Sequence, residues 1–396
     1  MQIFAVPNSY ASAPVNAPTS LSNVPSTTSV AISFTAPTND GGSAITNYEY
    51  SFNLSSWTAL SPVDTTSPIT VSGLSAGTAY TVYLRAVNII GAGPASAGTS
   101  FTTLQLTVHY FVLGGGGGGA SASDWANNLQ GTGGGGGGIT TSYGSVNGGG
   151  NGMSAALNGL AGTTQTVTVG GGGGGGAGNT GWSTGNGGGA GGSSQFASVV
   201  STGGGGGRIY GVGANAGSLG YQNNASSNYW AGGGSSAAGS AGTNATRPGS
   251  PYGGIHGVPG NGITTAIYAG GGVTRGGAGG NGATQNTNGG VNVATTAGGA
   301  GGGGSGGGYG NNFAAATGFG GAANYGAGGG SGSSYPYGGQ GSGGAGGSGY
   351  VAIRYPNSFG TLTSISGGLA YSTTTDGSDR VYQFTSGTGT ITFPSY

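Results

Sequence analysis

The sequence predicts a mainly β protein in three parts: an N-terminal β-sandwich, a glycine-rich bundle of extended helices bounded by short strands, and a small β-rich C-terminal module. Three observations predict it. Residues 15–104 alternate apolar and polar positions between regular turn signals. Residues 105–356 hold continuous glycine blocks, in a chain with 104 glycines among 396 residues. Alternation returns over 357–396, and residues 1–14 read as an N-terminal arm.

Composition narrows the function before any motif does. Charged residues are 3% of the chain, with six arginines, no lysine, six acids and a formal net charge of zero. Such a chain carries no electrostatic footprint for nucleic acid or anionic lipid, so neither nucleic-acid binding nor membrane insertion is expected. Its surface must be Ser, Thr, Asn, Gln, Tyr and bare backbone, which suits neutral polar partners. Cysteine is absent, so no disulfide and no thiolate metal site is available. Met1–Pro7 shows neither a basic start nor a long apolar stretch, and no apolar run approaches the ~20 residues of a membrane helix. The reading is a protein made in a cytoplasm without a secretory signal.

In the first part, Val30–Thr35, Ile45–Phe52, Ile69–Val71, Tyr80–Val87 and Ser100–Thr103 read as strands. Asn39-Asp40-Gly41-Gly42 and Gly91-Ala92-Gly93-Pro94 read as turns. The carriers Ala17-Pro18, VAISFTAP (Val30–Pro37), GGSAITNYEYSFN (Gly41–Asn53) and GLSAGTAYTVYLRAVNIIGAGPAS (Gly73–Ser96) make this segment resemble a fibronectin type III domain. Phe34 stands where the family usually has Trp. Leu74, Gly77 and Tyr80 match its tyrosine corner, in which a phenol bonds back to the backbone. The adhesive tripeptide of some family members is absent from the F–G loop. The resemblance implies a spacer or docking module.

In the second part, strand-like Leu106–Leu113 runs into Gly114–Gly119, and Thr166–Val169 into Gly170–Gly176. Further blocks are Gly133–Gly138, Gly203–Gly207 and Gly301–Gly304, and Tyr350–Pro356 closes the segment. Ordering glycine costs about 1–2 kcal/mol per residue with no side chain to bury in return. Only backbone hydrogen bonds can offset that. Collagen needs glycine at every third position and abundant proline, and amyloid stacking disfavours glycine. A bundle of polyglycine II helices remains, each with three residues per turn and a rise of ~3.1 Å, bonded sideways through amides that proline lacks. Inside it every Cβ would push neighbours apart. Interior helices are therefore expected to be pure glycine, as in Gly170–Gly176, and edge helices to carry side chains on the outward third, as in Gly187–Gly192.

HYFVLGGGGGG (His109–Gly119), TQTVTVGGGGGGGAGNTGWSTGNGGGAGGSSQF (Thr164–Phe196) and GGAGGSGYVAIRYP (Gly343–Pro356) resemble the glycine-rich domain of bacteriophage tail-fibre and virion structural proteins. The resemblance implies a role in particle structure, with other virion proteins as partners, a virion location and, in some members, host-receptor binding by loops at a bundle tip. In the third part, Thr361–Ile365 reads as a strand and Asp376–Asp379 as a turn, with strands Arg380–Thr385 and Thr390–Phe393 around Gly387-Thr388-Gly389.

Enzymatic motifs carry no weight in this background. Gly176–Gly181 fits GxGxxG and Gly303–Gly307 fits GxSxG, but a glycine tract generates both by chance and neither has its helix context. No zinc spacing or calcium β-roll pattern exists, so no cofactor, metal or catalysis is expected. His109 reads as a half-exposed packing residue of a strand and His256 as a loop residue. The informative residues are aromatics set among Asn, Gln and Ser: Trp125, Trp182, Tyr221, Tyr229, Trp230, Tyr252, Tyr335 and Tyr337, with His256 beside them. Rings and amides together suit stacking on sugars or anchoring a protein partner. The bland alternative is that they cap bundle ends or contact neighbouring subunits in a homo-oligomer. The expectation is a tail-fibre or tip-adhesin component that contacts host glycan or protein. A capsid decoration or head fibre without receptor role is the alternative, and an ice-binding protein a lower one.

Overall fold

The computed structural model describes residues 10–122, 131–143, 153–178, 186–208, 243–246, 255–265, 267, 273–280, 284–285, 291–293, 297–308, 315–335 and 339–395. The chain divides into two compact units, the first ending at Leu106 and the second spanning Thr107–Ser395.

The first unit runs β1 (Thr19–Pro25), β2 (Ser29–Thr35), β3 (Ile45–Ser51), β4 (Thr58–Ala59), β5 (Ile69–Ser72), β6 (Ala79–Asn88) and β7 (Thr99–Thr102). Strands β1-β2-β5 form one antiparallel sheet and β4-β3-β6-β7 the other. Alternation turns Val30, Ile32 and Phe34 of β2 inward against Val82, Leu84 and Ala86 of β6. Phe34 meets Tyr48 edge to face, with centroids 4.6 Å apart. The Tyr80 hydroxyl accepts the Ser75 amide at 3.0 Å, which closes the corner the sequence predicts. Gly41 is needed for two reasons. Its φ is +80°, and a Cβ there would collide with the Ser12 carbonyl oxygen.

The second unit begins with β8 (Thr107–Leu113), β9 (Ile139–Thr141), β10 (Leu157–Asn158), β11 (Thr164–Val169), β12 (Ser194–Phe196) and β13 (Val199–Ser201). Four short hairpins follow: β14 (Thr243–Thr246) with β15 (Ile255–Val258), β16 (Ile263–Thr265) with β17 (Val273–Arg275), β18 (Thr284–Gln285) with β19 (Val291–Val293), and β20 (Ser334–Tyr335) with β21 (Gly339–Gln340). The unit closes with β22 (Tyr350–Pro356), β23 (Ser364–Ile365), β24 (Ala370–Asp376) and β25 (Asp379–Thr392). One sheet of order β10-β8-β22-β25-β11-β12-β13 carries β9 on β8, and β23 and β24 on β25. The strands of 357–395 are thus members of the same sheet as β8, β11 and β22. Phe111, Leu113, Ile139, Ile263 and Tyr350 pack as one apolar cluster of this unit.

Glycine runs project from this sheet and bond to one another through their backbones. Every amide from 114 to 122 donates to a neighbouring run, and the target changes at each step. Gly114 and Gly117 bond Gly138 and Gly135; Gly115 and Gly118 bond Gly192 and Gly189; Gly116 and Gly119 bond Gly347 and Gly344. Three more runs donate to this one: Gly173 and Gly176, Gly204 and Gly207, and Gly329 and Gly332 bond the carbonyls of 116 and 119, 115 and 118, and 117 and 120. The six neighbours also bond one another in a closed ring of order 170–176, 186–192, 202–208, 132–138, 326–333 and 341–349. Run 326–333 is enclosed likewise, by its ring neighbours, by 114–120 and by runs 276–280, 302–308 and 316–322. Such bonding satisfies buried peptide groups that would otherwise cost several kcal/mol each to desolvate.

Several expectations are corrected. The pure run 170–176 lies on the outside, with Gly171, Gly172, Gly174 and Gly175 exposed. Glycine purity permits enclosure without requiring it. Conversely the enclosed runs are not pure: Ala120, Ala122, Ala327, Ser331 and Ser333 are all buried near run ends. The predicted strand Thr361–Ile365 shrinks to Ser364–Ile365. Gly387-Thr388-Gly389 does not interrupt a strand, because β25 passes straight through it. A Cβ at Gly387 or Gly389 would strike the carbonyl oxygens of Gly368 and Ser366, so both glycines admit a neighbouring backbone, and Gly387 also takes a φ of +95°. His256 is in strand β15 opposite Ala245, where the sequence reading gave a loop.

Candidate functional site

The candidate site is the end of the glycine runs remote from the sheet. Run 114–122 continues β8 and reaches this end at Ala122. Runs 170–178, 202–208, 302–308 and 326–333 arrive there, and runs starting at 131, 186, 315 and 341 leave it. The bonds Ser121 N–H to Asn186 O, Ala120 N–H to Thr132 O, Thr132 N–H to Arg208 O, Gly332 N–H to Ala120 O and Gly341 N–H to Ser333 O tie these ends together.

Hydroxyl side chains finish the runs where neighbouring backbones no longer reach. Asn186 N–H donates to Ser121 Oγ at 2.6 Å, and Gly178 N–H to Ser342 Oγ at 2.9 Å. Arg208 N–H donates to Thr132 Oγ1 at 2.9 Å, and Ala316 N–H to Ser333 Oγ at 2.7 Å. Ser333 Oγ also lies 3.1 Å from the Gly308 carbonyl. The Asn186 amide donates to Ala177 O at 3.0 Å. Sequence reasoning missed these capping residues. A Ser or Thr within two residues of the end of a glycine stretch was the available signal, by the same logic that places hydroxyls at helix ends.

Of the residues singled out from sequence, Trp125, Trp182, Tyr221, Tyr229, Trp230, Tyr252 and Tyr337 lie outside the described residues. Tyr335 is on β20, opposite Gly339, in the hairpin that caps run 326–333. The described residues that flank several of these segments can be placed. Trp125 lies between Ala122 and Gly131, Trp182 between Gly178 and Asn186, and Tyr337 between Tyr335 and Gly339. The stretch with Tyr221, Tyr229 and Trp230 begins after Arg208. Each of these flanking residues belongs to the capped end.

The sheet end has a different chemistry. Arg354 of β22 bonds Asp379 through Nε at 2.7 Å and Asp376 through Nη1, and its guanidinium lies 4.5 Å over the Tyr143 ring. Burial works against its charge, but the bonds from Asp379 and Asp376 outweigh that and hold its pKa above the ordinary value. His109 sits half-buried beside this group, with Nδ1 3.1 Å from the Ser142 carbonyl and its ring edge-on to Tyr143. Arg275 stacks over Tyr350 at 4.3 Å. Burial drives the Tyr355 phenol strongly upward in pKa, so it stays neutral. These charges tie strands together at the sheet. Among the described residues no group of three or more His, Cys, Asp or Glu could hold a metal ion, and no helix is long and apolar enough to cross a membrane.

Residues 14–102 match the fibronectin type III domain family, and this stretch is a fibronectin type III domain. No curated protein matches the chain.

Proposed function

We propose that this chain is a non-enzymatic structural component of a bacteriophage particle, a tail-fibre or tip-adhesin part. In this reading the fibronectin type III domain serves as spacer or attachment module. The glycine body is a bundle of polyglycine II helices that presents loops to host surface glycan or protein.

The observation that carries the reading is the convergence of run ends. Segments holding Trp125, Trp182 and Tyr337 begin and end at one capped face, and the segment holding Tyr221, Tyr229 and Trp230 starts there. A body of enclosed backbone is a rigid base for such loops, and rigid scaffolds with variable loops suit recognition. The polyglycine II assignment is supported by the change of bonding partner at each residue with a repeat of three, and by six neighbours around run 114–122. It is supported further by the collisions a Cβ would make at Gly114–Gly119. Neutral polar surfaces fit sugars without salt dependence.

The test is binding of the purified chain to host cells and their surface glycans, together with adsorption of particles whose 123–130 and 179–185 segments are replaced by Gly-Ser sequence. Binding that is lost with both segments supports the receptor role. Unchanged adsorption removes it. Antibody labelling of intact particles locates the chain, and signal on the capsid favours the decoration reading over the fibre reading.

A further inference from the structure

The outer edge of β24 is a seven-residue strand edge that carries a single charge, at Asp376. β24 pairs only with β25 among the described strands, through seven residues from Ala370↔Ser386 to Asp376↔Asp379. All residues from Ala370 to Thr375 are exposed, and no described strand pairs with this outer edge. Natural edges are blunted by charge, proline, bulges or a covering segment, because bare amides and carbonyls recruit another strand. Here the sequence is AYSTTTD, with no proline and with charge only at Asp376. Its one irregularity lies at Ala370/Tyr371, at the end of the strand.

We propose that this edge is an interface with a second copy of the chain, formed by antiparallel pairing of β24 with β24 about Thr373. The strand is self-complementary in that register. Thr373 faces Thr373 of the copy, Ser372 faces Thr374, Tyr371 faces Thr375 and Ala370 faces Asp376. No like charges meet, and each Asp376 is already paired with Arg354 of its own chain. Hydroxyl-to-hydroxyl pairing is how this molecule joins antiparallel strands elsewhere. Thr164 Oγ1 lies 2.8 Å from Thr392 Oγ1, and Thr264 Oγ1 lies 2.6 Å from Thr274 Oγ1. Cross-strand pairs of this kind stabilise sheets. Seven residues a side bury less than the ~1,200 Å² of a standard stable interface, so the isolated pair is weak and becomes effective where copies are held together.

Sedimentation of the full chain from about 10 μM to about 1 mM tests this, a range matched to weak association. The expected result is a rising weight-average mass that Thr373→Lys abolishes without lowering the melting temperature, since the side chain is exposed. A second readout does not depend on that variant. The chain has no cysteine, so Thr373→Cys alone should yield a disulfide-linked dimer under mild oxidation much faster than Thr166→Cys, an exposed β11 position away from the edge. Monomeric mass at about 1 mM with equal cross-linking rates for the two variants overturns the proposal.

Discussion

At the scale of the residue, the glycines of the second unit are of two kinds. At Gly117 and Gly118 an added Cβ would strike the backbone carbonyl oxygens of Gly205 and Gly174, and backbone enclosed by six runs cannot yield. Gly118→Ala is expected to cost about 3 kcal/mol or more, the upper range of overpacking. At Gly171 and Gly174 nothing lies within 4 Å. Gly171→Ala should be neutral or stabilising by about 0.4–1 kcal/mol, through the unfolded chain it restricts. Thermal melts of the two variants check both signs, and equal effects would contradict the packing. Arg354→Ala strands two half-buried carboxylates and should cost about 3 kcal/mol. Tyr355 and Tyr48 have folded pKa values raised by burial. Their contribution is therefore complete below the unfolded value of about 10 and is lost as pH rises above it. Melting temperature should hold between pH 8 and 9 and fall above about pH 10.

At the scale of the element, the runs have an internal period that amide exchange can read. In 170–176, Gly173 and Gly176 donate to carbonyls of run 114–122, whereas Gly171, Gly172, Gly174 and Gly175 are exposed and make no such bond. Exchange by NMR should therefore be slow at every third amide of this run and slow at every amide of 114–122. Uniformly fast exchange in both would reduce the body to a tether. In the fibronectin domain, Tyr80→Phe removes the acceptor of the Ser75 amide and should cost about 1 kcal/mol, measured by denaturant titration of the full chain.

At the scale of the whole molecule, the β8–β22–β25 sheet anchors one end of the glycine runs and hydroxyl caps finish the other. In the second unit the apolar cluster around Phe111 and Tyr350 and the Arg354 ion pairs lie at the sheet, and the residues flanking the segments that hold Trp125, Trp182 and Tyr337 lie at the capped end. Replacement of the 123–130 and 179–185 segments should alter binding while leaving melting temperature within about 1 °C, because the residues that flank them lie outside the apolar cluster around Phe111 and Tyr350. A large fall in melting temperature would show that the segments hold the body together.

The sequence by itself determined the strands whose burial follows a period of two, such as Val30–Thr35 and Tyr80–Val87, and the fibronectin domain they build. Local periodicity and turn chemistry suffice there, because each side chain's direction follows from its neighbours in the chain. It also located the glycine blocks and the scarcity of charge. Only the tertiary structure decided which runs are enclosed. Run 170–176 is as pure as 114–119 yet lies outside, since a glycine run makes the same lateral bonds with any neighbour and side chains do not direct it. The same holds for β25, whose Gly387 and Gly389 look like a break until the 366–368 backbone is seen lying against them. Position in a backbone-bonded body is set by which run lies beside which, and that information is spread over residues hundreds of positions apart.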